Sequence, residues 1–154
     1  RLLVRGALAA RPDLLKPNAE ELAELTGFSD ATSLEGDPLL AAHAARTLVT
    51  AGVGAVLATL GSKGALLVTA QGSWFAQSPP IVARSTVGAG DSALAGYLLS
   101  HLTGAAAPEC LRQAAAHGAA AASMPGSTVP ALDQTNPEAV TVTAIASEPM
   151  EDDQ

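Results

Sequence analysis

The residues best suited to chemistry lie in the run Ser85-Thr86-Val87-Gly88-Ala89-Gly90-Asp91-Ser92. Gly88 and Gly90 allow dihedrals and close backbone approaches that a side chain forbids. The apolar stretch behind them predicts a helix over 91–102, ended by Gly104. The first amides of a helix have no partner within it, and the helix dipole adds partial positive charge there. A glycine loop running into such a start makes an anion site fit for a phosphoryl group. Asp91 stands at the edge of that site. A carboxylate beside bound phosphates is electrostatically costly, so it points to a task such as accepting the proton of an attacking hydroxyl. The local alternative is a tight turn with Asp91 as a plain N-cap.

Three further segments carry candidate groups. Thr59-Leu60-Gly61-Ser62-Lys63-Gly64 directly follows an apolar run. In open α/β sheets ligands sit at the carboxyl ends of strands. There Thr59 offers a hydroxyl, Gly61 and Gly64 expose backbone, and Lys63 can reach a phosphate as a point charge; the alternative is a hairpin turn with an exposed lysine. In Lys16-Pro17-Asn18-Ala19-Glu20-Glu21, Asn18 and Glu21 could together order the waters of a magnesium ion, which keeps its hydration shell. The same pair at this spacing also reads as a capping box. In Ala114-Ala115-Ala116-His117-Gly118, the alanines would admit a flat ring against a helix, with His117 beside it or simply packed. Cys110 reads as a small apolar group. Trp74 and Phe75 read as packing residues, and His43 and His101 show no metal-ligand spacing.

These segments need elements to position them. Residues 2–10 read as the end of a helix and 13–16 as a buried strand closed by Pro17. Asn18 caps a helix to Thr26, ended by Gly27; residues 28–36 read as loop; Asp37 and Pro38 open a helix to Ala51. Residues 53–60, 65–69 and 73–77 read as strands, with Gln71-Gly72 as a hairpin turn. Residues 81–83 read as a further short strand. Pro108 opens a long alanine-rich helix to about Met124, 125–130 read as loop, and the element after Asn136-Pro137 fits helix or strand. Strands alternating with helices imply a parallel α/β sheet with helices on both faces, plus an antiparallel hairpin.

Composition bounds the class. The chain has 154 residues, 48% hydrophobic and 15% charged, with a mean hydropathy of +0.27. That suits a globular domain rather than a disordered chain. No apolar run reaches the roughly 18–20 residues that span a bilayer. One cysteine excludes an internal disulfide and a multi-cysteine zinc site. The net charge of −7 argues against general nucleic-acid binding. Four acids of that balance lie in the last seven residues, leaving 8 positive against 11 negative charges in 1–147. Residues 147–154 therefore read as an acidic tail on a unit spanning 1–146. A soluble, cytoplasmic protein with no membrane partner is expected.

In this order and spacing, the four segments resemble the ribokinase, or phosphofructokinase B, family of sugar kinases, over about residues 13–130. The likeness rests first on Thr86-Val87-Gly88-Ala89-Gly90-Asp91, then on Thr59 to Gly64 and on Asn18 to Glu21. Lys16-Pro17-Asn18, Ser85-Thr86-Val87-Gly88-Ala89-Gly90-Asp91 and Ser123-Met124-Pro125-Gly126-Ser127-Thr128-Val129-Pro130 are most similar to the branch that phosphorylates fructose 1-phosphate. The resemblance implies a three-layer ribokinase-like α/β fold, of which this chain holds the carboxyl-terminal part. It implies ATP as phosphoryl donor and a sugar phosphate as acceptor. Asp91 would be the base, and the amides of Gly88, Ala89, Gly90 and Asp91 the anion hole. Thr59, Gly61, Lys63, Gly64, Asn18 and His117 would line the nucleotide site, with Asn18 and Glu21 holding hydrated Mg²⁺. Other expectations are a tagatose-6-phosphate or ribose type of acceptor, or a nucleotide-binding remnant without catalysis. Ser85 stands where many members carry an Asp that helps hold potassium, and 117–128 is short, which leaves a K⁺ requirement open. The sugar-binding half and the lid lie outside the matched part. The chain alone is thus expected to bind no sugar, and a homodimer is expected only in a full-length protein.

Overall fold

The computed structural model describes residues 9–81, 84, 88–125 and 130–145. The sequence-based readings of 1–8, Val82, Ala83, Ser85 to Val87, 126–129 and the acidic tail lie outside these residues.

Local hydrogen bonding sets the helix starts. Asn18 precedes α1 (Ala19–Thr26), and the capping box forms: Glu21 N donates to Asn18 Oδ1 at 2.8 Å and Asn18 N to Glu21 Oε1 at 3.2 Å. Gly27 ends the helix at φ 76°. The expected loop over 28–36 instead contains a short helix, α2 (Ala31–Gly36). Asp30 caps it, its carboxylate accepting Thr32 N and Ser33 Oγ at 2.9 Å each. Asp37 then caps α3 (Pro38–Thr50).

The next strands are β1 (Ala55–Thr59), β2 (Ala65–Thr69) and β3 (Gly72–Gln77). The hairpin turn is Ala70-Gln71, one residue earlier than expected, because Gly72 already pairs with Thr69. Further along the chain come α4 (Ala89–Leu102), α5 (Ala107–Ser123) and β4 (Thr141–Ile145). The ambiguous last element is therefore a strand.

The named strands form one sheet in the order β1-β2-β3-β4, antiparallel throughout. Antiparallel pairing thus extends well beyond the small hairpin expected. A 3₁₀ turn, Gly61–Lys63, reverses the chain between β1 and β2, a link too short for the crossover that a parallel pair needs. Parallel pairing survives where residues 15–18 run beside β1: Leu15 bridges Val56 and Asn18 bridges Thr59.

Helices cover both faces, as the sequence implies. Val56, Ala58, Leu66 and Val68 face α1, α2 and α3 through Leu22, Leu34 and Leu48. Their neighbours Ala55, Leu57, Ala65 and Leu67 face α4 and α5 through Ala93, Tyr97 and Leu111. Alternate residues of a strand point to opposite faces, so a strand buried on both sides reads as one continuous apolar run. Trp74 and Phe75 pack on opposite layers, consistent with their reading as packing residues.

Candidate functional site

The candidate segments meet at one end of the sheet. Thr59 closes β1, and its amide donates to Pro17 O at 3.0 Å beside the Asn18 bridge. Two residues before Asn18, on the same side of an extended backbone, stands Lys16. A Cβ built on Gly90 would lie 2.9 Å from Lys16 Nζ. The start of α4 is thereby seated against the end of the segment that pairs with β1.

That helix starts earlier than the sequence implies. Gly88 is its N-cap at φ 83°, and Ser92 N donates to Gly88 O at 2.9 Å. Asp91 is therefore the third helical residue and not the cap. Among the described residues no side chain caps this terminus, which leaves the amides of the first turn facing an anion site. Asp91 is exposed and makes no hydrogen bond or ion pair among the described residues.

Around the 3₁₀ turn the glycines have structural duties. Gly64 takes φ 124°, and a Cβ there would collide with the Ala76 carbonyl oxygen. Gly61 lies against α2: a Cβ there would stand 2.9 Å from Glu35 Oε1. Lys63 is exposed.

Asn18 and Glu21 form the capping box, both exposed. Each spends one oxygen on the other's amide, leaving the second Glu21 oxygen for solvent. No group of three His, Cys, Asp or Glu side chains able to hold a metal occurs among the described residues. A directly ligated ion is not built here, whereas one held through its waters needs only such an outward carboxylate.

Helix α5 divides the roles that the sequence grouped together. Ala116, Ala119, Ala120 and Ser123 line a cleft of about 270 Å³ together with Ser78, Ile81 and residues of the 134–140 segment. Arg84 N, donating to Ala122 O at 2.8 Å, ties the approach to the glycine loop onto the end of this helix. His117 points elsewhere. It is 5% exposed, and its Nδ1 donates to Gln113 O at 2.8 Å, since a carbonyl can only accept. Its ring fills the space over Gly96. One residue on, Gly118 backs onto Ala89 O and Ala93 Cβ, at 3.5 and 3.4 Å from a built Cβ. Of the alanines expected to form a ring-binding wall only Ala116 lines the cleft; Ala114 and Ala115 are buried in the core, and the histidine lies in the helix interface.

Lys16 is the residue that sequence reading gave no role. Its neighbour Gly90 is distant in sequence, so only its place two before Asn18 on an extended segment could have drawn attention to it. Cys110 is 1% exposed, as a small packing group should be. His101 stacks on Tyr97 with centroids 5.9 Å apart. No described helix is long and apolar enough to cross a membrane.

Comparison with known proteins adds to this geometry. A family model described as pfkB family carbohydrate kinase matches residues 5–134. The chain is similar to 1-phosphofructokinase of Rhodobacter capsulatus, 38% identical over 137 residues, covering 89% of this chain and 42% of that protein. It is likewise similar to 1-phosphofructokinase of Escherichia coli K12, 40% identical over 121 residues, covering 79% and 37%. Among solved structures it resembles phosphofructokinase-2 of Escherichia coli in complex with substrates and products, with 32% identity and a TM-score of 0.76 over 86% of this chain and 41% of that one. The chain spans about two fifths of the length of these relatives.

Proposed function

Because the chain belongs to the pfkB family of carbohydrate kinases, we propose that it is the nucleotide-binding and phosphoryl-transferring part of a cytoplasmic sugar-phosphate kinase. The acceptor is fructose 1-phosphate and the product fructose 1,6-bisphosphate. The observation that carries this reading is the uncapped start of α4 at Gly88, seated beside the Asn18–Thr59 end of the sheet. The names of the relatives favour the acceptor.

In the reaction, the acceptor hydroxyl oxygen bonds to the terminal phosphorus of ATP as the bond from that phosphorus to ADP breaks. The hydroxyl proton passes to Asp91, whose carboxylate is exposed at the mouth of the cradle. The amides of residues 88–91 donate to the oxygens of the moving group; one such donor is worth about 3–4 kcal/mol of barrier. Adenine lies on the wall of Ala116, Ala119, Ala120 and Ser123, a width of small side chains that a flat ring can cover. His117 supports that wall from behind. Thr59 and the 61–64 turn border the phosphates. Glu21 and Asn18 would hold hydrated magnesium, which supplies charge neutralisation for the phosphates.

A second reading is a nucleotide-binding module with no turnover of its own. The absence, among the described residues, of any partner that orients the Asp91 carboxylate favours it.

Calorimetric titration of the chain with ATP, and ADP release by a complete kinase domain carrying it, separate these readings. Saturable ATP binding with turnover led by fructose 1-phosphate is expected. Binding without turnover supports the second reading. A response led by tagatose 6-phosphate or ribose overturns the acceptor, and absence of ATP binding overturns both readings.

A further inference from the structure

We propose that Arg112 is a positioning residue for the nucleobase: by holding the Val140 carbonyl it fixes the width of the cleft between α5 and residues 134–140. The inference rests on the nucleotide-binding reading above and names the residue that shapes its base site.

Two sides of the cleft come from different parts of the chain. One is the small-residue face of α5; another is the 134–140 stretch, whose 3₁₀ turn, Pro137–Ala139, ends just before β4 begins. The bonds within this stretch are local. Ala139 N donates to Asn136 O at 3.2 Å and Val140 N to Pro137 O at 3.1 Å, both inside the turn. Pairing with β3 starts only at Thr141, opposite Gln77. Among the described residues the one hydrogen bond that joins the stretch to α5 comes from Arg112, whose Nη1 donates to Val140 O. Val140 is 3% exposed, and its side chain lies in the same core cluster as Leu111 and Ala114. A buried carbonyl needs a partner, and here the partner comes from α5 and not from a neighbouring strand.

The guanidinium is itself set in place. Glu109 Oε2 accepts from Arg112 Nε at 3.2 Å, and Glu109 Oε1 accepts from Gln113 Nε2 at 3.1 Å. The donors of an arginine form a rigid planar fork, so anchoring Nε orients Nη1 as well. An ion pair this exposed contributes little to stability by itself. What it orients is the bond to Val140.

The consequence is one of shape. Arg112 lies one helical turn before Ala116, the first α5 residue to line the cleft. A bond at that level fixes how far the 134–140 stretch stands from the helix face. A flat ring between two walls keeps its contacts only when the gap matches its thickness, because dispersion falls off within an ångström. Without the tether the stretch samples positions that do not fit, and the apparent affinity falls with the fraction of time the fitting one is occupied. Phosphates on the amides of residues 88–91 draw nothing from this gap. Arg112 therefore acts on the base and not on the phosphates.

The test is equilibrium titration of the chain and its variants with Mg·ATP and, separately, with inorganic tripolyphosphate, each variant first shown to melt cooperatively. Arg112→Met keeps the apolar stem and removes both bonds. It is expected to weaken ATP binding by about threefold to tenfold and to leave tripolyphosphate within about twofold. Arg112→Lys keeps a donor for Val140 and recovers part of the loss. In a complete kinase domain carrying this chain, Arg112→Met raises KM for ATP while kcat holds, the mark of lost binding rather than lost catalysis. A merely structural role would lower the melting temperature without separating ATP from tripolyphosphate. Equal losses for the two ligands would make Arg112 a phosphate cation and overturn the positioning role, as would an ATP affinity that Arg112→Met leaves unchanged. A natural chain that binds no ATP overturns the nucleotide-binding reading and this inference with it. Should Arg112→Met fail to fold, Glu109→Ala decides, since that side chain is half-exposed. It frees Nε and is expected to weaken ATP by about twofold to fourfold with tripolyphosphate unchanged; an unchanged ATP affinity there overturns the proposal.

Discussion

Gly96 of α4 and His117 of α5 share one space: a Cβ on Gly96 would stand 2.6 Å from His117 Nδ1 and 2.6 Å from the Gln113 carbonyl oxygen. The two helices approach this closely because small residues line the contact, Gly96 and Ala93 on one side and Ala114 and Gly118 on the other. The interface holds the start of α4 in place, since Gly118 lies against Ala89.

Gly96→Ala is therefore expected to destabilise the chain by about 1–3 kcal/mol, as overpacking does, despite the helix propensity gained, about 1 kcal/mol. Urea denaturation followed by circular dichroism measures it. A stabilised variant would show that the helices can separate at no cost and that His117 does not fix their distance.

Asp91→Asn tests the base. In a complete kinase domain carrying this chain, turnover is expected to fall by about 10²–10⁴. Nucleotide affinity is expected to hold or rise slightly, because a negative charge beside the phosphates is removed. Undiminished turnover takes the role away from Asp91.

The capping box separates a structural duty from a metal one. Asn18→Ala removes the acceptor of the Glu21 amide and is expected to cost about 1 kcal/mol, read from the midpoint of chemical denaturation. Glu21→Gln keeps an oxygen for the Asn18 amide, so stability should change by no more than about 0.5 kcal/mol. It removes the outward charge, and the Mg²⁺ concentration needed for half-maximal ATP binding is expected to rise several-fold. An unchanged magnesium requirement leaves the pair as a helix cap and nothing more.

Burial pushes the Tyr97 phenol above its ordinary value near 10, with a smaller contribution from Cys110 alongside. The folded state thus holds the phenolic proton more tightly than the unfolded chain does. This contribution to stability is complete below pH 10 and is lost as the pH rises through the raised folded value. The stability of the chain is expected to fall in that alkaline range, with a spectroscopic titration of tyrosinate coincident with unfolding. Tyr97→Phe should flatten this part of the pH profile. An identical profile in the variant would assign the alkaline loss to other groups.

Much of the local structure was legible because its causes lie within a few residues. Asn18 and Glu21 at N-cap spacing, Asp37 before Pro38, and Gly27 after a helical stripe each act through hydrogen bonds or dihedrals of their own turn. The short α2 escaped notice because six residues offer too little periodicity, although Asp30 was its cap. The start of α4 was placed two residues late. Asp91 looks like a cap in sequence, yet Gly88 in the left-handed region already turns the chain into the helix.

By itself, the sequence determined the helix starts at Asn18 and Asp37, the apolar strands and the glycine run that mark the family, because side-chain periodicity and capping are short-range. Only the tertiary structure decided that β1 runs antiparallel to β2, that His117 faces Gly96 while the neighbouring alanines face a cleft, and that Lys16 reaches Gly90. Those outcomes depend on how layers pack across the sheet, where atoms from remote parts of the chain compete for the same volume.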